Sequence, residues 1–344
     1  MRRYQPLLLI AFFLLVIIIT GSTYLAGYAG KSNPENVNSI NVYTTLPIEQ
    51  ISILTQEYEK IQNVRINLVP QSEQDLLTHI KSKNLGSQAD LIIANQSVLE
   101  QAKNNNSLLS YTSEQIDIIP ERFNDENNYW TGLWYDPIVF AVNQDFLKTT
   151  TKTPSTWNDL TQDSKYRICL TDFLTAEASA NLLYTLVAVN GEAQTFTYLK
   201  KLHPQVVQYS KFLVTPVRMV GMGEADIAIA TESETLRYIQ NNFPIKIIYP
   251  EDGTAFLLTG TGLVSGAQHE AAAKQFIDWL LQDTAQNILF KHNFHFVPTN
   301  PETLIYKQYA TKNIKLLEHK ENFTTVQKSQ LLDKWVKTIR FASM

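Results

Sequence analysis

The feature that most constrains the fold is an alternation of strand-like and helix-like segments between residues 40 and 94. Residues 40–44 alternate apolar and polar side chains, as a strand does, and residues 48–62 place Ile51, Leu54, Tyr58 and Ile61 at helical spacing. A strand (64–69), a helix (72–83) and a third strand (89–94) follow. This order is typical of a mainly parallel sheet flanked by helices, so an α/β fold is predicted.

The same rhythm returns after a long aromatic and apolar stretch at 129–143. We predict strands at 167–171, 223–230, 245–249 and 255–265, helices at 175–189, 192–202 and 270–287, and helical stretches within 313–339. The chain has 344 residues, whereas single domains usually have about 100–150, so length favours two lobes. The stretches at 129–143 and 255–265 are predicted to cross between them. The predicted organisation is a first lobe (40–136 and 254–300), a second lobe (137–253) and C-terminal helices (301–344).

The first 30 residues have the plan of an export signal. Arg2 and Arg3 precede an unbroken apolar run at 7–19, and small residues that include Gly27 and Ala29 follow. Cleavage after Ala29 and retention as a membrane anchor both remain open, since a bilayer span needs only about 20 apolar residues. A polar linker is predicted at 31–39. The folded part is therefore expected in the periplasm or on the extracytoplasmic face of the membrane.

Charge and motif content argue against several functional classes. The net charge is −4, or −6 once Arg2 and Arg3 are removed, and the other basic residues form no stripe, which argues against a nucleic-acid partner. No nucleophile, phosphate-loop or metalloprotease motif is present, so neither an enzyme nor a cofactor is expected. His292 and His295 are spaced as a metal pair of low specificity, and no metal is predicted. Cys169 lies in an apolar stretch and is expected to pack in a core.

Polar side chains follow the predicted parallel strands, where open sheets bind ligands. Thr44, Thr45 and Leu46 come after the first strand, and Asn95 and Gln96 come after the third. These residues are candidate ligand contacts, and ordinary loop polarity is the alternative for each of them.

Seven segments in order resemble the periplasmic binding proteins of ATP-driven (ABC) importers, in the branch of ferric-ion, 2-aminoethylphosphonate and sugar-phosphate receptors. They are Val-Tyr-Thr-Thr (42–45), Gln-Ala-Asp-Leu-Ile (88–92), Pro-Ser-Thr-Trp-Asn-Asp-Leu (154–160), Gly-Glu-Ala-Asp-Ile-Ala-Ile (223–229), Tyr-Pro-Glu-Asp-Gly-Thr (249–254), Ala-Ala-Ala-Lys-Gln-Phe-Ile-Asp-Trp-Leu-Leu (271–281) and Leu-Asp-Lys-Trp (332–335). The resemblance spans nearly all of the chain beyond the export segment.

The resemblance implies a two-lobed type II periplasmic-binding-protein fold, in which each lobe is a mainly parallel sheet flanked by helices. It also implies a monomeric substrate-binding component that closes on a small organic solute in the interlobe cleft and delivers it to a membrane permease. By position, the ligand contacts it implies are Thr44, Thr45, Leu46, Asn95, Gln96, Trp134, Tyr135, Asp172, Thr175, Thr215, Arg218, Thr231 and Glu232. A membrane-tethered sensor that signals by the same closure is the alternative, which an uncleaved export segment would favour.

Departures from the family pattern bear on the ligand. Iron-binding members carry a histidine after the first strand and an adjacent tyrosine pair in the second lobe, where this chain has Pro47 and Ser233-Glu234. Ferric iron needs several anionic oxygen ligands, so iron is disfavoured. Thr175, Thr215 and Arg218 suit a phosphonate or phosphate ester. The acidic residues Asp172, Glu177 and Glu232 suit an amine-bearing solute instead, and the sequence leaves both classes open.

Overall fold

The computed structural model describes residues 38–82, 85–162, 166–317 and 323–342. The predicted export segment (1–30) and most of the predicted linker lie outside the described residues. None of the helices within the described ranges has the length and apolar character that crossing a membrane would need.

The described residues form strands that alternate with helices along most of the chain. The strands are β1 (Asn38–Thr44), β2 (Val64–Pro70), β3 (Leu91–Asn95), β4 (Leu108–Leu109), β5 (Thr131–Asn143), β6 (Ile168–Thr171), β7 (Val206–Ser210), β8 (Ile227–Thr231), β9 (Ile245–Ile248), β10 (Phe256–Val264) and β11 (Val297–Pro298). The helices are α1 (Ile48–Ile61), α2 (Glu73–Ile80), α3 (Gln96–Asn104), α4 (Glu114–Asp117), α5 (Gln144–Thr149), α6 (Asp159–Gln162), α7 (Glu177–Asn190), α8 (Glu192–Leu202), α9 (Val214–Gly221), α10 (Glu232–Gln240), α11 (Glu270–Leu280), α12 (Asp283–Lys291), α13 (Leu304–Ala310) and α14 (Thr325–Trp335). A π-helical turn, Val336–Arg340, follows α14.

The first lobe, defined by its sheet, has the strand order β2-β1-β3-β10-β5. β1 pairs in parallel with β2 and with β3, and β10 returns antiparallel between β3 and β5. Its helix α1 buries Ile51, Leu54 and Tyr58, which are spaced to share one face. Tyr58 packs on Phe276, with ring centroids 4.7 Å apart. Because β1, β2 and β3 run in the same direction, they end at the same edge of the sheet.

The second lobe is built around the sheet in which β5 pairs with β8 and β9 and β6 lies between β8 and β7. β6 runs parallel to β7 and β8, so these strands also share a carboxyl edge. The core includes Phe140 against Trp157 and Phe173 against Trp335. Cys169 is fully buried beside Met219, and burial raises the pKa of its thiol to about 12, in agreement with the predicted core position.

β5 passes through both lobes. Its first part pairs with β10 in the first sheet, and from Ile138 onward it pairs with β8 and β9 in the second. Pro137, which lacks an N–H group, lies where the strand changes partners. The α/β prediction is confirmed, and residues 131–143 of the predicted crossing stretch form a strand shared by the two sheets.

Local differences from the sequence-based expectations have identifiable causes. The segment 270–287 forms two helices, since Gln282 adopts an extended conformation between α11 and α12. Residues 96–104, for which no helix was predicted, form α3 directly after β3. The edge strand β7 was not predicted because its residues are partly exposed and carry no clear alternation of burial. In the C-terminal part, α13 packs near β11 of the first lobe, whereas α14 packs on the second.

Candidate interlobe site

The carboxyl ends of the parallel strands in the two lobes meet through one group of hydrogen bonds. Asn95 ends β3, Ser97 lies in the first turn of α3, and Glu177 begins α7 after β6. The Glu177 carboxylate accepts a hydrogen bond from Asn95 Nδ2 and another from Ser97 Oγ at 2.9 Å. Glu177 is therefore a direct link between the lobes, placed where open α/β sheets bind ligands.

Burial is the main influence on the pKa of the Glu177 side chain. It raises the pKa of the carboxyl to about 7, and the charge of Glu73, the first residue of α2, acts in the same direction. The Ser97 hydrogen bond and Lys328 oppose that rise. Burial also raises the pKa of nearby Tyr184 to about 12, with contributions from Glu177 and Glu73. The link between the lobes is thus a desolvated acidic site.

The first-lobe residues predicted to bind ligand are brought together by strand pairing. Thr44 lies opposite Ile93 in the β1/β3 register, and the Thr45 N–H donates to the Ile93 carbonyl at 3.3 Å, so Thr45 lies beside the end of β3. The Thr44 hydroxyl accepts from the Leu46 N–H at 3.1 Å and so belongs to a local turn. Thr45 Oγ1 and Asn95 Oδ1 are buried without a hydrogen-bond partner among the described residues. Leu46 and Gln96 are partly buried at the same edge.

The second-lobe residues predicted to bind ligand lie in three places: after β6, on α9, and where β8 meets α10. The Asp172 carboxylate already has partners within the protein. It accepts hydrogen bonds from the Leu174 N–H at 2.9 Å and from Arg340 Nε at 3.1 Å. The Thr175 hydroxyl donates to the Asp172 carbonyl at 3.0 Å. On α9, Thr215 is partly buried and Arg218 is exposed. Thr231 and Glu232 are buried where β8 meets α10.

The two aromatic residues predicted as contacts, Trp134 and Tyr135, lie in the first-lobe core. The Trp134 ring stacks on Phe296 at 5.9 Å, and the Tyr135 ring stacks on Phe123 at 5.0 Å. Each ring is at most 6 % exposed, so packing accounts for most of its surface.

A second polar cluster near the crossing strands was not predicted from the sequence. Glu232 is fully buried, and its carboxylate accepts from the Tyr249 hydroxyl and from Lys312 Nζ at 3.1 Å. The Lys312 ammonium lies 3.8 Å from the ring centroid of Tyr309. Burial raises the pKa of Glu232, although Lys312 opposes the rise. These residues come from three separate segments of the chain, so their spacing in the sequence could not indicate that they lie together.

Asp136 lies beside this cluster on β5 and joins the crossing strand to the second lobe. Its carboxylate accepts from the Ser233 N–H at 3.0 Å and from Ser233 Oγ at 2.5 Å. Burial raises the pKa of Asp136 to about 7 despite these hydrogen bonds. Ser233, one of the two positions at which iron-binding members carry tyrosine, therefore serves here to hold a carboxyl group of the crossing strand.

The end of β2 adds a cavity that the sequence analysis did not identify. The cavity has a volume of about 580 Å³ and is lined by Pro70, Gln71, Ser72, Asp75, Thr78 and His79. The Gln71 N–H donates to the Thr44 carbonyl at 2.8 Å, which places the cavity at the same sheet edge as Thr44. The sequence feature that could have indicated this cavity is Pro70-Gln71-Ser72, which directly follows the predicted strand at 64–69.

Comparison with known proteins gives a family match over most of the chain. The profile of the family described as bacterial extracellular solute-binding proteins matches residues 87–318. An uncharacterized protein of Haemophilus influenzae is 28 % identical over 243 residues, which cover 67 % of this chain and 70 % of the relative. Iron uptake protein A1 of Synechocystis is 22 % identical over 326 residues, 87 % of this chain and 89 % of the relative.

Solved structures show the same fold. The periplasmic binding protein AfuA of Actinobacillus pleuropneumoniae, with fructose-6-phosphate bound, superposes with a TM-score of 0.70 at 24 % identity and covers 88 % of this chain and 99 % of its own. The ferric binding protein of Campylobacter jejuni gives 0.68 at 19 % identity, with 88 % and 98 % covered. The two-lobed type II periplasmic-binding-protein fold is confirmed.

Proposed function

The chain belongs to the bacterial extracellular solute-binding proteins, and from that premise we propose that it is the substrate-binding component of an ABC-type importer. It binds a small organic solute between its lobes and delivers the solute to a membrane permease. Members of this family and the solved neighbours are binding proteins, not enzymes. The predicted boundaries of the lobes, 40–136 with 254–300 and 137–253, are part of this proposal.

The observation that carries the proposal is the link from Asn95 and Ser97 to Glu177. It joins the carboxyl edges of the two sheets, so a solute that contacts both edges stabilises the closed arrangement. β5 and β10 connect the lobes near Pro137 and provide the place at which the lobes bend relative to each other. Closure that depends on the solute is what a permease can recognise.

The test combines a thermal-shift screen with small-angle X-ray scattering. The purified protein is screened against phosphonates, sugar phosphates, polyamines and amino acids, because a ligand that binds only the folded state raises the melting temperature. Scattering is then measured with each compound that raises it, and we expect a smaller radius of gyration. Compounds without a thermal shift are the matched control and should leave the radius unchanged. If no stabilising compound changed the radius of gyration, the proposed closure of the lobes on the solute would be wrong.

The location follows the same proposal. We expect the folded part on the extracytoplasmic side, as the family description indicates. Residues 1–30 direct export, and the mass of the native N-terminus, measured in soluble and membrane fractions, distinguishes cleavage after Ala29 from a retained anchor. Retention would favour the tethered sensor over a freely diffusing receptor.

A further inference from the structure

Three acidic residues lie where the second-lobe strands end, and they differ in how their charge is balanced. Asp172 forms an ion pair with Arg340 Nε at 3.1 Å, and Glu232 forms one with Lys312 Nζ at 3.1 Å. Glu177 is held by the neutral donors Asn95 and Ser97, and among the described residues it forms no ion pair. A buried carboxylate is costly unless an opposite charge accompanies it.

Two hydrogen-bonding oxygens at the carboxyl edge of the first-lobe sheet also lack a partner among the described residues. Asn95 is 9 % exposed, and since its Nδ2 donates to Glu177, its Oδ1 is left as a buried acceptor without a donor. Thr45 Oγ1, at the end of the neighbouring strand, is likewise buried and unpartnered among the described residues. A buried hydrogen-bonding group without a partner costs about 1–3 kcal/mol. The Asn95 amide oxygen can only accept, and the Thr45 hydroxyl can accept as well as donate, so a ligand that donates hydrogen bonds can satisfy both.

The surrounding charge has the same sign as Glu177. Glu73 approaches from the first lobe and acts electrostatically on Glu177 and on Tyr184. Lys328 acts in the opposite direction, and its ammonium lies 5.4 Å from the ring centroid of Tyr184. Two carboxylates and one lysine leave the region acidic, which disfavours an anionic group of a ligand beside Glu177.

We propose that the ligand carries a protonated amino group, which binds between Thr45 Oγ1, Asn95 Oδ1 and the Glu177 carboxylate. This inference rests on the proposed function and names the chemical class of its solute. An ammonium group has three N–H donors and one positive charge, which match three accepting groups, one of them the negatively charged Glu177 carboxylate. A hard metal ion fits less well, because Ca²⁺ takes 6–8 oxygen ligands and these residues supply only one carboxylate.

The experiment uses probe pairs that differ in the amino group. The full-length protein is titrated by calorimetry with 1,4-diaminobutane and 1,4-butanediol, and with 2-aminoethylphosphonate and ethylphosphonate. We expect at least one amine to bind, and its partner without nitrogen to bind at least tenfold more weakly. Glu177→Gln, which keeps the shape and loses the charge, should weaken the amine at least tenfold. Glu224→Gln, the same change at an exposed site of the second lobe, should bind as the unaltered protein does.

The remaining outcomes separate this inference from the proposed function. Equal binding of the two members of each pair, binding by Glu177→Gln at full affinity, or binding of ferric citrate or Ca²⁺ that Glu177→Gln abolishes would overturn the amine proposal. The receptor function would then stand with a different solute. If none of these probes and no compound of the wider screen raised the melting temperature, both proposals would fail.

Discussion

Arg340 Nε donates a hydrogen bond to the carboxylate of Asp172 across 3.1 Å, which joins the turn after α14 to the loop after β6. The same guanidinium lies over the Tyr209 ring, 4.8 Å from its centroid. Asp172 was predicted from the family resemblance to contact ligand, and the structure gives its carboxylate a cation from within the chain. The contact implies a role for Asp172 in the stability of the second lobe.

Arg340→Ala should lower the free energy of unfolding by about 2 kcal/mol, because a hydrogen bond between charged groups and a ring contact are both lost. Urea denaturation followed by tryptophan fluorescence measures the change. Arg340→Lys keeps the charge but not the planar group, and we expect an intermediate loss. An unchanged midpoint for Arg340→Ala would show that the contact contributes nothing in solution.

Trp335→Ala should be among the most destabilising substitutions in α14. The Trp335 side chain is fully buried, with its ring 4.9 Å from Phe173 and 5.5 Å from Tyr209. Loss of a buried large aromatic side chain costs about 3–5 kcal/mol. Trp335 Nε1 has no hydrogen-bond partner among the described residues, so Trp335→Phe should cost clearly less. Denaturant melts measure the free energy of unfolding, and similar losses for the two variants would contradict the view that aromatic packing is what Trp335 contributes.

Lys312→Ala should destabilise the protein because it leaves the Glu232 carboxylate without its positively charged partner. Glu232 is fully buried and its carboxylate loses its cation, but the Lys312 side chain is 35 % exposed, so we expect a loss below the about 3–5 kcal/mol of fully buried pairs. The double variant Lys312→Ala with Glu232→Gln should recover much of this loss, because no buried charge remains. Melting temperatures of both variants provide the measurement, and a double variant no more stable than Lys312→Ala would refute the explanation.

Glu177 should make stability depend on pH. Its pKa is raised from an ordinary value of 4.5 to about 7 in the folded protein. Between these values the folded state holds a proton that the unfolded state has released, so the free energy of unfolding falls as pH rises, by at most about 1.4 kcal/mol per pH unit. Asp136 acts in the same direction.

Glu177→Gln should therefore flatten the dependence of the urea midpoint on pH between about 4.5 and 7, whereas Glu224→Gln should follow the unaltered protein. A Glu177→Gln profile as steep as that of the unaltered protein would place the pH dependence elsewhere.

Ferric iron should give no coloured complex. Burial raises the pKa of Tyr249 and of Tyr309 far above the ordinary value for a phenol, and Lys312 Nζ lies 2.9 Å from the Tyr249 hydroxyl. Iron would have to displace both a proton and a neighbouring ammonium to bind these phenols. A visible-absorbance titration with ferric citrate tests this expectation, and a stoichiometric charge-transfer band that Tyr249→Phe abolishes would overturn it.

The sequence predicted the parts of the fold whose signal is local. The strand at 40–44 and the helix at 48–62 appear as β1 and α1 with small shifts. The helix buries Ile51, Leu54 and Tyr58 at helical spacing, as predicted, whereas the end of β1 buries both faces. The grouping of Thr44, Thr45 and Asn95 was also predictable, since parallel strands end at one edge.

The charge partners were not predictable, because they join distant parts of the chain. Lys312 and Glu232 are 80 residues apart, and Arg340 and Asp172 are 168 apart. Spacing along the sequence carries no information on such pairs, so acidic residues that looked alike in the sequence could not be separated into paired and unpaired ones. That distinction, which singles out Glu177, came from the three-dimensional contacts.

The position of β10 in the first sheet also bears on the order in which the chain can fold. β10 pairs with β3, yet the ribosome makes residues 256–264 only after every strand from β4 to β9. The strands of the second sheet therefore all precede β10 in the chain, whereas one edge of β3 stays open until β10 is added. An unpaired edge invites association with other chains, so β3 is exposed to aggregation until β10 takes its place.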